Sequence, residues 1–213
     1  MRFAKEGWPF VIPFLVLAAV LAGLERPGWG AAALVTGLLV LLFFRDPRRR
    51  FEGPPGMVLA PADGRVLAVE TVEDPEIGSG KFHRVVTFLS VFDVHVQRVP
   101  VAGEVVASSL LRGRKVAAFR GDAGLVNERH LTVLRRPQGD LVGVRQIAGL
   151  LARRVVCHLR AGEARERGDL LGLIKFGSRV DLLVPESYRI LVRPGERLRN
   201  GETPVAEAAG EER

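Results

Sequence analysis

Residues 8–24 and again residues 29–44 carry no charged side chain, and Glu25-Arg26-Pro27-Gly28 stands between them. Each run is a little short of the roughly 20 apolar residues that a perpendicular spanning helix needs. The pattern predicts two short helices joined at a Pro-Gly turn, an N-terminal α-helical membrane hairpin. A cleaved signal peptide competes with this reading, because Arg2 and Lys5 precede an apolar core. The second apolar run, and the lack of a small-residue cleavage site followed by polar sequence, favour a retained hairpin. Basic residues flank it on both sides, Arg2 and Lys5 before, Arg45, Arg48, Arg49 and Arg50 after. The positive-inside rule then puts both ends at the cytoplasmic face of the cell membrane. Trp8 and Trp29 stand at opposite ends of the first passage, where amphipathic indoles favour the interface.

The run Arg45-Asp46-Pro47-Arg48-Arg49-Arg50 closes this first region, residues 1–50. Directly after an apolar segment, such a run attracts anionic headgroups at about 1 kcal/mol per basic residue. The chain of 213 residues has a formal charge of +7, which by itself suits nucleic acid as well as an anionic lipid surface. The placing of the arginines favours lipid. No basic platform interleaved with aromatics appears, since the chain has one Tyr and its Phe residues lie mostly in apolar runs, so nucleic acid is not an expected partner. Hydrophobic residues make up 47% of the chain, enough for a sizeable core beyond the hairpin. Cys157 is the only cysteine, which excludes an intrachain disulfide and any metal site built on thiolates and fits a reducing compartment. No metal is expected.

Past Phe51 the pattern changes to short β-branched and aliphatic runs punctuated by Gly, Pro and Asp, the spacing of an all-β sandwich or barrel. Strands are expected at 58–60, 65–72, 82–99, 103–110, 115–119, 130–135, 142–147, 155–159, 170–176, 180–184 and 188–192. Residues 74–80 read as a surface loop. The all-β body is 51–204, and the Ala- and Glu-rich tail, 205–213, reads as disordered. Ala62-Asp63-Gly64 and Pro194-Gly195-Glu196 punctuate their strands similarly, which suggests a pseudo-repeat of small β modules. The expected fold is therefore mostly β, a compact sandwich or barrel of short strands behind the helical hairpin.

One point in the body invites chemistry. Leu171-Gly172-Leu173-Ile174-Lys175-Phe176 and Val180-Asp181-Leu182-Leu183-Val184 flank Gly177-Ser178. A glycine before a hydroxyl residue permits a peptide geometry that other residues resist, so the Ser178 oxygen could reach the Gly177 carbonyl carbon. Attack there would turn the amide into an ester. An isolated Gly-Ser in a strand, however, is more often a bulge or a tight packing point.

Four stretches taken in order change that balance. They are Pro61-Ala62-Asp63-Gly64; Phe88-Leu89-Ser90-Val91-Phe92-Asp93-Val94-His95-Val96-Gln97-Arg98-Val99-Pro100; Gln146-Ile147-Ala148-Gly149-Leu150-Leu151-Ala152-Arg153-Arg154; and Ile174-Lys175-Phe176-Gly177-Ser178-Arg179-Val180-Asp181. Together they resemble the short, non-mitochondrial type of phosphatidylserine decarboxylase proenzyme over residues 45–185. Asn127-Glu128-Arg129 matches a pattern of the same family, and an apolar N-terminal hairpin is its frequent companion.

The resemblance implies a self-processing enzyme that converts phosphatidylserine to phosphatidylethanolamine and carbon dioxide in phospholipid biosynthesis. Its cofactor would be a covalent pyruvoyl group made from Ser178. Cleavage between Gly177 and Ser178 would leave a β chain, 1–177, partnered by an α chain, 178–213. The resemblance also implies that Asp63 and His95 activate the Ser178 hydroxyl, as in other base-assisted serine nucleophiles. Larger relatives carry a second histidine where this chain has Arg98, which leaves the division of His95 between maturation and decarboxylation open. Arg98 could instead hold a carboxylate or phosphate of the substrate. Taken alone, Asp63 is a turn residue, and His95 alternates with Val94 and Val96 on a face that is either buried or lines a cleft. Expected partners are the anionic phospholipid and its membrane; the oligomeric state stays open. The alternative is a membrane-tethered β module of hybrid-barrel type with no catalysis.

Overall fold

The computed structural model describes residues 1–50, 53–113, 127–149, 154–175 and 178–209. It divides into two compact units, Met1–Arg48 and Arg49–Arg213.

In the first unit, α1 (Trp8–Gly23) and α2 (Pro27–Phe43) form an antiparallel pair, and the short strands β1 (Arg2–Phe3) and β2 (Arg45–Asp46) pair across its open end. Small residues set the helix contact: Gly30, Ala33 and Gly37 are the buried positions of α2 apart from Phe43. A Cβ on Gly37 would stand 3.0 Å from the Phe14 side chain, and one on Gly30 would stand 3.1 Å from the Ala18 carbonyl. Close approach through small residues is how helices associate where lipid offers no hydrophobic drive. Most of the remaining apolar surface faces outward, including Ile12, Val16, Val20, Val35 and Leu39. Lys5–Gly23, 19 residues, is long and apolar enough to cross a membrane, while Pro27–Phe43 is shorter.

The second unit is built from β3 (Met57–Leu59), β4 (Gly64–Glu73), β5 (Lys81–Leu89), β6 (Val96–Arg98), β7 (Gly103–Leu111), β8 (Arg129–Arg135) and β9 (Leu141–Ala148). The later strands are β10 (Val155–Cys157), β11 (Ala164–Arg165), β12 (Leu170–Ile174), β13 (Ser178–Pro185), β14 (Arg189–Ile190), β15 (Arg197–Leu198) and β16 (Pro204–Glu207). Eight of them form one antiparallel sheet in the order β11-β7-β8-β9-β13-β5-β4-β15. Two three-stranded sheets, β10-β12-β6 and β14-β16-β3, complete the unit. Strand β13 lies at the centre of the large sheet and is buried on both faces. Val180, Leu182 and Val184 enter the main core with Leu89, Val85, Val144 and Ala148, whereas Leu183 joins Ile77, Phe82, Leu131 and Val133 on the other face. The alternation is that of any strand. The fold is thus a pair of N-terminal helices followed along the chain by a mostly β unit, as expected.

The unit is an internal duplication, with different partners from those the turn residues suggested. Residues 58–66 repeat as 97–105: the Leu59 amide donates to the Pro100 carbonyl and the Arg98 amide donates to the Pro61 carbonyl. Gly64 and Gly103 begin equivalent strands, and a Cβ at either would fall 2.2 or 2.4 Å from a backbone oxygen, of Phe88 or Arg135. The register shifts between Val66 and Ala68 in one copy and between Val105 and Ala107 in the other. Residues 160–168 repeat as 193–201, with Gly162 and Gly195 donating to the carbonyls of Val105 and Val66 and Gly168 and Gly201 to those of Val99 and Ala60. Pro194-Gly195-Glu196 is therefore the counterpart of Ala161-Gly162-Glu163, and Pro61 to Gly64 that of Pro100 to Gly103.

Two expectations are corrected. The stretch 82–99 is two strands in different sheets, because the Asp93 carboxylate accepts the Ser90 amide and closes a turn after Leu89. Residues 74–80 form the expected surface loop, which is anchored by Ile77, buried in the second core, and by Arg145, which binds both Asp74 and Glu76. The tail does not begin at 205, since β16 pairs with β3 and buries Val205 and Ala206. Small apolar residues in Pro-Val-Ala-Glu gave too little β signal against the Ala-Glu composition around them. The strand expected at 115–119 lies outside the described residues.

Candidate active site

Between Ile174 and Ser178 the chain leaves the small sheet of β12 and enters the large sheet as β13. Ser178 is the first residue of β13, set between Leu89 of β5 and Ala148 of β9. It is fully buried, and among the described residues its Oγ has no hydrogen-bond partner. The register puts it on the same face as Gln146 and Thr87, two residues further along the neighbouring strands. Gly177 lies outside the described residues.

That face looks toward β6. Gln146 Nε2 donates to Gln97 Oε1 at 2.9 Å, and Gln97 Nε2 donates to the His95 carbonyl at 2.8 Å. The Ile174 amide also donates to the His95 carbonyl, at 3.3 Å. So one buried carbonyl ties the residue that ends β12 and the amide chain beneath β13 to the histidine. The His95 ring is buried, with Nδ1 3.0 Å from the Asp93 carbonyl oxygen. A carbonyl can only accept, so Nδ1 carries the proton and Nε2 is the basic nitrogen. Asn127 Nδ2 donates to the Ala148 carbonyl at 2.6 Å, bracing the strand opposite Ser178.

Asp63 sits just before β4, where the Gly64 backbone passes too close to Phe88 for any side chain. Its carboxylate takes both Nη atoms of Arg49, at 2.5 and 2.8 Å, and the Asn200 amide at 2.8 Å. Asn200 Nδ2 in turn donates to the Val96 carbonyl at 2.7 Å. Asp63 is thereby joined to the residue beside His95 through Asn200. Its own hydrogen bonds go to Arg49 and Asn200, and none of the described residues bonds to Ser178 Oγ. Strands β4 and β13 are separated by β5, about 10 Å of backbone. The structure thus gathers Asp63 and His95 around the end of β5 that Ser178 also borders, without joining the three by direct hydrogen bonds.

Arg98 goes elsewhere. Alternation along β6 sends Gln97 toward Gln146 and Arg98 the other way, where its Nη1 donates to the Gly168 carbonyl at 3.1 Å. Sequence reasoning gave no role to Asn200, Gln97 or Gln146 and read Arg49 as a headgroup ligand. Arg49 is one of a run of arginines, and only its buried pairing with Asp63 singles it out. Among the described residues no group of three His, Cys, Asp or Glu stands where a metal could be held.

Comparison with known proteins bears on this geometry. The profile of the family described as phosphatidylserine decarboxylase matches residues 37–206, which takes in Asp63, His95, Arg98, Gly177 and Ser178. The chain belongs to that family. A protein of Symbiobacterium thermophilum named phosphatidylserine decarboxylase proenzyme is 45% identical over 202 residues, 95% of this chain and 94% of its own length. Proteins of the same name from Saccharopolyspora erythraea and Magnetococcus marinus are 45% and 40% identical, covering 92% and 98% of this chain and 86% and 96% of their own. The chain is accordingly a decarboxylase, a carboxy-lyase of phospholipid metabolism, and the buried cluster at the start of β13 is its candidate active site.

Proposed function

We propose that this decarboxylase makes its own electrophile by breaking the bond between Gly177 and Ser178, and that it then converts phosphatidylserine to phosphatidylethanolamine at the cytoplasmic face of the cell membrane. The observation that carries the reading is the Ser178 hydroxyl, buried in the central strand with no partner among the described residues. A buried polar group left unsatisfied costs about 1–3 kcal/mol, and such groups are kept where they have a chemical role. The same orphaned oxygen fits a position where a pyruvoyl group forms from this residue.

Ser178 Oγ attacks the Gly177 carbonyl carbon, the C–N bond breaks, and the amide becomes an ester with a free amine on residue 178. Removal of the Ser178 α-proton expels the Gly177 carboxylate, ending the β chain, 1–177. The dehydroalanine left at 178 takes up water and loses ammonia to become the pyruvoyl end of the α chain, 178–213. His95 serves as the base, its Nδ1–H anchored on Asp93 so that Nε2 is the nitrogen that takes a proton. Asp63, clamped by Arg49 and joined through Asn200 to the Val96 carbonyl, holds the segment that carries the imidazole. A pyruvoyl group at position 178 would supply an electrophilic carbonyl for the substrate amine and a sink for the electron pair released as carbon dioxide departs. The membrane placement draws support from the apolar helix Lys5–Gly23 and from basic residues on both flanks of the hairpin. The two chains of one molecule remain partners because β13 is bonded on both sides to strands of the β chain.

A denaturing gel tests the reading. Wild-type protein runs as two fragments, the smaller blocked to Edman sequencing, and Ser178→Ala runs as one full-length chain. A Ser178→Ala chain that still splits at this point would remove the proposed route.

A further inference from the structure

Among the described residues of the unit Arg49–Arg213, Phe92 is the most exposed large apolar side chain, at 84%, and Val91 beside it is 44% exposed. We propose that the turn carrying them, residues 90–93, inserts into an anionic phospholipid surface and brings that surface to the end of the large sheet where Ser178 lies. The inference rests on the reading that the site acts on a lipid, and it names the part of the catalytic unit that meets the bilayer.

The turn is tightly built. The Ser90 amide donates to the Asp93 carboxylate at 2.8 Å, the Asp93 amide to the Ser90 carbonyl at 3.0 Å, and the Phe92 amide to Ser90 Oγ at 3.3 Å. Backbone donors satisfied inside the turn enter a lipid interface without the cost of losing water partners. This scaffold holds Val91 and Phe92 outward at a fixed place. Leu89, the last residue of β5, pairs with Ser178, and the His95 ring lies 3.0 Å from the Asp93 carbonyl. The apolar tip therefore stands between the strand end opposite Ser178 and the histidine.

Charge beside the tip selects the occupant. Arg65 of β4 and Arg197 of β15 are direct cross-strand partners, and both are exposed. Arg197 reaches the turn itself, 3.5 Å from Asp93 Oδ1, while Arg65 donates to the Gly195 carbonyl. Like charges set directly opposite one another weaken a strand pair. A layer of anionic headgroups would offset that repulsion, at the place where an apolar tip enters the acyl boundary. A second copy docked symmetrically through the same turn would instead bring four such guanidiniums together. The combination fits a lipid surface better than a protein one.

The test uses the full-length Ser178→Ala chain with Cys157→Ser, reconstituted in vesicles, so that neither cleavage nor turnover enters the readout. A fluorophore is placed at Val91→Cys or, in the turn at the opposite end of β9, at Gln138→Cys. In vesicles of phosphatidylcholine and phosphatidylglycerol, nitroxide-labelled lipid should quench position 91 about threefold or more over position 138. Phe92→Ser should remove that difference, and Arg65→Gln with Arg197→Gln should weaken it on these anionic vesicles but not on pure phosphatidylcholine. Phe92 is exposed, so its replacement leaves the fold whole, and circular dichroism checks this. Quenching at 91 no greater than at 138, or unchanged by Phe92→Ser, overturns the proposal. A spectral shift at 91 that follows protein concentration and ignores the nitroxide lipid marks a second copy on the turn and overturns it too. In the Ser178 chain, Phe92→Ser should raise KM for phosphatidylserine in vesicles about fivefold and leave it unchanged for dispersed short-chain phosphatidylserine. An equal rise on both substrates contradicts a role at the lipid surface. Failure of the quenching test leaves the gel result at Ser178 standing, and the reverse also holds.

Discussion

Arg179 and Asp181, two residues apart on one face of β13, pair at 2.6 and 2.8 Å with almost no access to water. Removing one partner of a buried pair strands the other charge. Asp181→Asn should therefore cost about 3–5 kcal/mol, read as a shift in the urea midpoint at unchanged slope. Asn200→Ala tests the tie between Asp63 and the histidine segment. The account expects self-cleavage slowed at least about tenfold in a folded protein, measured by pulse-chase on gels, because base geometry within hydrogen-bond reach governs proton transfer. His130 gives a pH signature away from the site. Its burial against Ser108 and Thr132 lowers its pKa below the ordinary 6.5. A depressed folded-state value means the unfolded chain binds the proton first, so this contribution is whole above the ordinary pKa and is lost as pH falls through and below it. Urea midpoints should drop between about pH 7.5 and about pH 5.5, and His130→Gln should flatten part of that drop.

At the scale of elements, two glycines fix where strands pass one another. A Cβ on Gly64 would stand 2.2 Å from the Phe88 oxygen, at a φ of 149°, and one on Gly172 would stand 2.0 Å from the Val156 oxygen. Gly64→Ala should cost more than about 2 kcal/mol and also displace Asp63, so cleavage suffers with stability. The strands themselves were largely legible, because alternating Val, Leu and Ile between Gly, Pro and Asp mark 65–72, 130–135, 142–147 and 180–184. What failed was continuity and ends. No Gly or Pro interrupts 82–99, and the break there comes from the Asp93 side chain capping Ser90, a contact that spacing does not reveal. Strands of two or four residues such as β15 and β16 owe their existence to partners far along the chain, Gly64 and Val58 among them. The hairpin helices were legible from two charge-free runs about a Pro-Gly turn, while the Gly30, Ala33 and Gly37 seam depends on which faces of the two helices meet.

Over the whole molecule, the duplication explains why a turn aspartate and a strand histidine so distant in sequence meet near one strand end. Each copy lends its Pro-x-x-Gly corner, and the corner of one copy carries Asp63 where the other has Ala102. The roles proposed for Ser178, His95 and Asp63 rest on resemblance to a family and on no feature of spacing. Neither Asn200 nor the pairing of Arg49 is legible in the sequence, because the bonds both make to Asp63 exist only in the folded register. The most direct test of the central claim is the intact mass of freshly purified wild-type protein, taken before and after treatment with a carbonyl reagent and alongside turnover of phosphatidylserine. The account predicts two masses split before Ser178, with only the smaller gaining the reagent. A single undivided mass in a preparation that still releases carbon dioxide would contradict it.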